Sequence, residues 1–402
     1  MEKVVVTGMG SISCMGKSVD EMMDNIHKNQ VNFSHWEYEP NLVVGSVSSI
    51  SVNSANRKIF SKLDRVSKFA ICAADEALAQ AKIERNNSFG ENLGIVTGTG
   101  LGGIQTVISQ AKKIMGSGFE SISPLFYPKM LSNMTASAIG ILYGAHGVNK
   151  TISTACASGT DAIGEAFELI RTGQQDIVCV VGCESDLNPE LVGGFKSLRA
   201  LSKSSYINAA STPFDESRSG FVISEGAAAV VLESEMSARN RNVKIIGSIL
   251  GYGTCSDAYN LVAPDPNGTY LASAIEKSLN VSGVKKKSIG YINAHGTSTH
   301  ANDLMESKAF NTVFGEKKVP LTSSTKGFTG HMLGATGVIE VVITLSSMLA
   351  GTLPTNIGLS KQDKNCQIPL VNESNRHKKV RFALSTSAAF GGINSSLVLG
   401  LA

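Results

Sequence analysis

Short runs of β-branched and apolar residues alternate along this chain with longer segments that carry apolar residues at helical spacing. The helical spacing is clearest over residues 62–81 and 338–349. The predicted strands are residues 4–7, 93–97, 151–154, 176–181, 227–232, 245–251, 289–293, 319–323, 381–386 and 396–399. Strands that alternate with helices are typical of an α/β protein, in which helices cover a largely buried sheet.

A weak repeat of long period divides the chain. Residues 4–10 (VVVTGMG) resemble residues 245–253 (IIGSILGYG), and both segments end in a Gly-x-Gly pattern. Residues 151–170 are predicted to form a strand, a turn of small residues and a helix, and residues 321–349 repeat that plan. The repeat predicts two similar α/β halves, with chance similarity between α/β segments as the alternative.

The predicted boundary places candidate reactive groups in both halves. Residues 1–243 contain Cys156 at the small-residue turn, and residues 244–402 contain Lys326 and His331 at the equivalent turn. If the two halves meet along one seam, we expect these groups to converge there.

Composition excludes several classes of protein. The net charge is +3, from 36 basic and 33 acidic residues, which argues against a chain built to coat nucleic acid. No stretch approaches the roughly 20 apolar residues of a membrane span, and the apolar run at the start is far too short for the core of a signal peptide. The seven cysteines are scattered without a Cys-x-x-Cys pair. We therefore expect no disulfide framework, no metal site and a cytoplasmic location.

Cys156, in the segment TACASG, is the candidate nucleophile. It follows a predicted strand and precedes a predicted helix, and small neighbours permit a strained turn that presents the sulfur. The N-terminus of a helix also stabilises a thiolate. The alternative is a buried cysteine that packs as a small apolar side chain, and we assign that role to Cys72, Cys179, Cys183 and Cys255.

Two histidines and a lysine occupy Gly-rich turns in the second half. His295 lies in NAHGTST at the end of a predicted strand, where ligands bind in α/β sheets. Lys326 and His331 lie in STKGFTGHMLGATG, which opens a predicted helix. Small neighbours suggest that Lys326 is buried, and Glu340 on the following helix is its candidate partner. A single histidine is more often structural than catalytic, so the argument depends on the group as a whole.

The segment AFGGIN, residues 389–394, combines two glycines with Phe390. Such a loop can move and can present a backbone N–H group, although a tight turn before the last strand explains the glycines equally well. A separate segment, GTGLGG at residues 98–103, matches the Gly-x-Gly-x-x-Gly pattern of dinucleotide-binding turns. It is not on the first strand and lacks the acidic residue expected at the end of the next strand. A nucleotide-dependent oxidoreductase is therefore a remote alternative.

These motifs resemble, in order and spacing, the β-ketoacyl-acyl carrier protein synthase family. The motifs are TACAS, NAHGTST, STKxxTGHxLGAxG and FGG, together with PFDESRSGFVISEGAAAVVLE and the opening VVVTGMG. The likeness covers essentially the whole chain and is greatest for the ketoacyl synthase II branch and for ketosynthase subunits of type II polyketide systems. It implies a thiolase-like fold, a duplicated five-layer α-β-α-β-α sandwich, and a dimer.

The resemblance also implies a role for each residue. Cys156 accepts an acyl chain from acyl carrier protein, and the N–H groups of Cys156 and Phe390 form an oxyanion hole. His295 and His331 stabilise the enolate that malonyl carrier protein leaves when it loses carbon dioxide. Lys326, paired with Glu340, fixes the electrostatic field around His331. No dissociable cofactor is implied, because the phosphopantetheine arm arrives on the carrier.

Further residues match the family's substrate contacts. They are Thr297 and Thr299 for the phosphopantetheine arm, Ile104 and Phe195 for the acyl pocket, and Lys62, Arg65, Lys68 and Arg199 for docking of the acidic carrier. For each of these cations the alternative is an ordinary solvated surface residue.

Two departures from the common pattern bear on the pathway. Ala388 replaces an aromatic residue and Ala389 a glycine in the loop before Phe390. His300 and Asn302 stand where housekeeping enzymes have proline and glycine, and the Asn-Asp pair is more like polyketide ketosynthases. These features favour slightly a polyketide or polyene ketosynthase, which pairs with a chain-length factor, over fatty-acid elongation by a homodimer. Neither nucleic acid nor membrane is expected as a partner.

Overall fold

A computed structural model describes residues 1–50, 57–85 and 89–402 of the chain. Its strands are β1 (Val4–Ile12), β2 (Ser34–Trp36), β3 (Glu39–Val44), β4 (Leu93–Gly98), β5 (Asn149–Ile152), β6 (Ile177–Glu184), β7 (Gly226–Ser234), β8 (Gly247–Ser256), β9 (Ile289–Asn293), β10 (Leu321–Ser323), β11 (Phe382–Ala389) and β12 (Ile393–Leu401). Its α-helices are α1 (Val19–His27), α2 (Arg57–Phe60), α3 (Arg65–Gln80), α4 (Ile104–Ser117), α5 (Phe126–Met130), α6 (Met134–Tyr143), α7 (Ser158–Arg171), α8 (Pro189–Ser197), α9 (Glu235–Asn240), α10 (Thr269–Ser282), α11 (His300–Phe314), α12 (Lys326–Thr329) and α13 (Thr336–Ala350).

The sheet shows the duplication directly. Five strands of the first half lie in the order β5-β4-β6-β7-β1, and five of the second half lie in the order β10-β9-β11-β12-β8. Equivalent strands of the two halves pair in the same direction. In the first half β4 is parallel to both β5 and β6, and in the second half β9 is parallel to both β10 and β11. Antiparallel pairing of β1 with β8 joins the two sets into one hydrogen-bonded sheet. The predicted α/β class and repeat are therefore confirmed.

Each of the ten predicted strands has a counterpart in this sheet. The short hairpin of β2 and β3 was not predicted. The boundary proposed at residues 243 and 244 falls in the connection between α9 and β8, and its exact position stays a prediction.

Helices occupy three layers around the two halves of the sheet. The central helices α7 and α13 are buried against β6, β7 and β12 in one apolar core. On one outer face α3 and α6 pack on the first half, and on the other α10 and α11 cover the second half. The order of layers is α-β-α-β-α. The segment Leu333–Ala350 is apolar and long enough to cross a membrane, but 83% of it is buried between the two halves of the sheet as a core helix.

The N-termini of α7 and α13 approach each other closely because small residues meet there. A Cβ atom added at Gly337 would lie 2.1 Å from Thr160 Oγ1, and one added at Gly159 would lie 2.9 Å from the backbone oxygen of Gly334. Each helix begins just after the turn that carries a candidate reactive residue. The two glycines therefore bring the turns of both halves together.

Candidate active site

Cys156 lies in a single 3₁₀ turn, Ala155–Ala157, immediately before α7. Ala155 has a φ of 50°, a left-handed conformation that costs about 1–2 kcal/mol for a residue with a Cβ. The predicted strained turn is thus present. Cys156 is 9% exposed, and burial raises the pKa of its thiol to about 12, against the opposing positive charge of Lys326. The free site therefore holds a thiol.

His331 makes direct contact with this sulfur. Its Nε2 lies 3.1 Å from Cys156 Sγ, and its Nδ1 lies 3.1 Å from Thr336 Oγ1. The ring packs edge-on against Phe221, with centroids 5.0 Å apart. Burial, followed by the charge of Lys326, holds the pKa of His331 well below its usual range. A neutral imidazole therefore faces the thiol.

His295 stands beside His331, with ring centroids 5.2 Å apart and planes nearly perpendicular. Lys326 Nζ lies 3.3 Å from His295 Nδ1 and 2.6 Å from Glu340 Oε1, and it also donates to the backbone oxygen of His295. An ammonium group only donates hydrogen bonds, so Nδ1 accepts and the proton of the neutral ring resides on Nε2. Burial and then Lys326 hold the pKa of His295 well below its usual range.

The predicted Lys326–Glu340 pair is present, and the predicted electrostatic effect of Lys326 on His331 is found, together with direct contacts to His295 that were not predicted. Both side chains are at most 1% exposed, as a paired buried charge should be. The direct contacts of Lys326 are with His295, whereas its influence on His331 is purely electrostatic. We attribute to Lys326 the orientation of His295.

Glu306 of α11 holds the His295 turn in place and was not identified from the sequence. Its carboxylate accepts from the backbone N–H groups of His295 (2.8 Å) and Gly296 (2.6 Å). The Thr386 hydroxyl (3.0 Å) and Asn302 Nδ2 (2.9 Å) complete the set of donors. Burial raises the pKa of Glu306 to about 7 against these donors. The feature of the sequence that could have identified Glu306 is an acidic residue on the buried side of a helix, here α11.

The reactive side chains open into a cavity of about 280 Å³. Its lining includes Cys156, His295, His331, Thr297, Thr299, Phe195, Arg199, Asn302, Ala388, Ala389 and Phe390. Aromatic rings connect the loop to the histidines, since Phe390 neighbours Phe195 (centroids 6.4 Å apart) and Phe195 neighbours Phe221 (5.5 Å). The segment 389–394 forms the tight hairpin turn that was the alternative explanation of its glycines, with Gly391 and Gly392 in the left-handed region.

Some predicted contacts lie outside this cavity. Ile104 begins α4 and is not among the lining residues. Arg65 is bound internally, because it donates to both carboxylate oxygens of Glu225 (3.0 and 2.6 Å) and stacks on the Phe69 ring. The guanidinium of Arg65 is thus anchored to Glu225, and its role in docking stays a prediction.

The other candidate docking cations differ in exposure. Lys62 is exposed, Arg199 is exposed at the edge of the cavity, and Lys68 is half-buried. Burial, followed by repulsion from Lys129, lowers the pKa of Lys68. Lys62 and Arg199 are therefore the best-placed cations of the predicted set.

The glycine motif at residues 98–103 does not form a phosphate cradle. The backbone N–H groups of Gly100 and Leu101 donate to the buried carboxylate of Glu184 at 2.7 and 3.3 Å. A negative group already occupies these donors, so the site disfavours a pyrophosphate. The oxidoreductase alternative is not supported. Within the described part of the chain, no cluster of His, Cys, Asp or Glu side chains is arranged for a metal ion.

Comparison with known proteins agrees with this fold and identifies the family. Residues 1–238 match the family Beta-ketoacyl synthase, N-terminal domain, and residues 246–360 match its C-terminal domain. The 3-oxoacyl-[acyl-carrier-protein] synthase 2 of Staphylococcus aureus is 36% identical over 99% of this chain and 98% of its own length.

Solved structures of ketosynthases superpose over the whole chain. One is a type II polyketide ketosynthase in complex with its acyl-carrier protein and bound to the hexaketide, with a TM-score of 0.90 and 28% identity over 100% of both chains. Another is the ishigamide ketosynthase/chain length factor, with a TM-score of 0.91 and 27% identity over 100% of this chain and 99% of that one. The fold is thiolase-like. The chain belongs to the β-ketoacyl synthase family, and it is a condensing enzyme of the ketoacyl synthase II type.

Proposed function

We propose that this enzyme extends an acyl chain held on Cys156 by condensing it with a malonyl group held on acyl carrier protein. The observation that carries the proposal is the arrangement of one thiol and two neutral imidazoles in one cavity, with Cys156 Sγ 3.1 Å from His331 Nε2. Sulfur suits both steps, because it is a good nucleophile and a good leaving group.

The reaction proceeds in two half-reactions. Cys156 attacks the thioester of the incoming acyl carrier, and the carrier leaves as its thiol. Malonyl carrier protein then loses carbon dioxide, and the electron pair of the broken bond forms an enolate on the thioester oxygen. The His295 Nε2–H and His331 donate to this oxygen. The enolate carbon attacks the Cys156 thioester, a carbon–carbon bond forms and the carbon–sulfur bond to Cys156 breaks. The thiolate that leaves takes up one proton from solvent and returns to the thiol.

We assign the cavity as the route by which the phosphopantetheine arm of the carrier reaches Cys156. Thr297 and Thr299 border the cavity with their hydroxyl oxygens 2.9 Å apart, and we assign them to hold the arm. Arg199 at the edge and the exposed Lys62 are the cations that we assign to the acidic carrier. The N–H groups of Cys156 and Phe390 are the proposed oxyanion hole, and no dissociable cofactor takes part.

We also propose that the enzyme works as a dimer. Exposed large apolar side chains are concentrated between residues 101 and 141, and they include Met115 (90% exposed), Phe119 (81%) and Ile141 (72%). The adjacent strand β5 is an edge strand of the sheet. An apolar patch beside an unpaired strand edge suits a subunit interface. Either a second copy or a chain-length factor can provide the partner.

The pathway is decided by the acyl group that Cys156 accepts. Ala388 and Asn302 in the cavity wall favour a polyketide or polyene chain, and fatty-acid elongation is the second candidate because of the 36% identity to a synthase 2. Purified enzyme should be offered saturated and polyene or polyketide acyl carriers in competition. The mass of the adduct on Cys156 then identifies the pathway.

Substitution at Cys156 and His331 tests the two half-reactions separately. Cys156→Gln places a neutral amide where the acyl-enzyme carbonyl would lie, so it should still decarboxylate malonyl carrier protein but form no β-ketoacyl product. His331→Ala should lose decarboxylation by roughly a hundredfold or more, since one oxyanion donor contributes about 3–4 kcal/mol. Carbon dioxide release and condensation are measured for both variants. A Cys156→Gln enzyme that condenses, or a His331→Ala enzyme that decarboxylates normally, contradicts these roles.

A further inference from the structure

Asn302 places an unused hydrogen-bond acceptor in the cavity wall. Its amide nitrogen donates to Asp303 Oδ1 (3.2 Å) and Glu306 Oε2 (2.9 Å). Because carboxylate oxygens accept hydrogen bonds, these contacts fix which end of the amide faces them. Asn302 is 8% exposed and borders the cavity, and with its nitrogen directed at the two carboxylates its carbonyl oxygen Oδ1 is left without them as partners. No residue that the structure describes donates to this oxygen.

The neighbouring threonines supply the complementary donor. The hydroxyl oxygens of Thr297 and Thr299 are 2.9 Å apart, so one hydroxyl proton is shared between them and the other remains available. Thr299 also caps α11, where its oxygen accepts from the backbone N–H of Asn302 at 3.4 Å. This part of the wall therefore offers one O–H donor and one C=O acceptor, which is the complement of an amide group.

We propose that Asn302 is a binding residue that accepts a hydrogen bond from an amide N–H of the phosphopantetheine arm. The threonine pair donates to the carbonyl oxygen of the same arm. The inference rests on the proposed function, because a carrier-bound thioester is what brings this arm into the cavity. Glu306 holds both the Asn302 amide and the backbone N–H of His295 (2.8 Å). One carboxylate therefore sets the position of the arm and of a catalytic histidine together.

Two small malonyl thioesters test this contact. One is the N-acetylcysteamine thioester, and the other carries an ester oxygen in place of its amide N–H. The wild-type enzyme should decarboxylate the amide compound with a kcat/KM about tenfold higher, since the ester leaves the Asn302 carbonyl without a donor. In Asn302→Ala that ratio should fall to about one. Thr297→Val is the matched control, because it should lower both rates and preserve the ratio.

The ratio of the kcat/KM values for the amide and the ester compound, measured on one variant, does not depend on how much of that variant is folded. If Asn302→Ala yields no protein, Asn302→Ser takes its place. An unchanged ratio in the Asn302 variants, or a wild-type ratio near one, overturns the contact while condensation itself stands. A wild-type enzyme that decarboxylates neither thioester nor malonyl carrier protein overturns the proposed function, and the inference falls with it.

Discussion

At the scale of single residues, the site depends on a buried cation that does not itself border the cavity. Lys326 donates to Nδ1 of His295 and thereby keeps the proton on Nε2. Without this ammonium group both tautomers become available. Lys326 also lowers the pKa of His295, second to burial. It is a positioning residue, and its larger effect should be on decarboxylation, because it contacts His295 directly and acts on Cys156 only through its charge.

Lys326→Met should abolish most decarboxylation, while Cys156 still accepts an acyl group but more slowly, because the charge that lowers the pKa of its thiol is gone. The pKa of His295 should rise toward its usual value, because one of the causes that lower it is removed. Nitrogen NMR of the imidazole should show loss of the single Nε2–H tautomer. Mass spectrometry of Cys156 loading and carbon dioxide release are measured together. Equal losses of both half-reactions, with an unchanged imidazole spectrum, would indicate a purely structural lysine.

The free energy of unfolding provides a control that separates a loss of stability in Lys326→Met from a loss of catalysis. Lys326→Met leaves Glu340 buried without its partner, which should cost about 3–5 kcal/mol of unfolding free energy. Adding Glu340→Gln removes the uncompensated charge and should restore much of that stability without restoring decarboxylation. If the double variant recovers its activity, Lys326 acts through the fold alone.

At the scale of elements, the β11–β12 hairpin controls the shape of the cavity. Ala388 pairs with Asn394 across the hairpin and borders the cavity, two residues before Phe390. An alanine leaves more space there than the aromatic side chain common in the family. Ala388→Phe should therefore narrow the range of acyl groups that load on Cys156. Loading is measured with a mixture of acyl carriers, and an unchanged profile would show that Ala388 does not set the pocket.

Sequence reasoning located the elements better than the contacts between side chains. Most strands of the large sheet were predictable because they are runs of apolar and β-branched residues, whereas β2 (Ser34–Trp36) has no β-branched residue and a single apolar one. The turns with Cys156, His295 and His331 were predictable because Gly-rich strand ends carry reactive groups in α/β folds. The roles of Glu306 and Asn302 depend on contacts across a helical turn, and their residue types alone do not reveal such contacts. The same limit explains why the ion pair of Arg65 was not predicted. Its partner, Glu225, is 160 residues away in the sequence.

At the scale of the whole molecule, the cavity must receive an arm attached to an acidic protein. Reversing Lys62 and Arg199 together to glutamate should raise the KM for carrier-bound malonate and weaken its dependence on salt. The rate with a small pantetheine thioester should change much less, because Lys62 lies outside the cavity and Arg199 only at its exposed edge. Equal losses on both substrates would exclude a docking role.

Arg65→Glu provides the contrast within the same predicted set. Glu225 is 3% exposed and loses its ion-pair partner in this variant, so thermal stability should fall. The double variant of Lys62 and Arg199 should melt like the wild type, because both side chains are exposed. A stable Arg65→Glu enzyme with a carrier-specific defect would return Arg65 to the docking surface.

The last prediction concerns the subunit interface. Ile141 lies on α6 with 72% of its surface exposed, within the apolar patch beside β5. Ile141→Arg should convert the dimer to monomers in sedimentation equilibrium, because burying an unpaired charge in an apolar interface is costly. Met236→Arg is the control, since Met236 is 59% exposed on α9 outside that patch. A wild-type chain that stays monomeric, alone and with a chain-length factor, or an Ile141→Arg variant that still pairs, would remove this face as the interface.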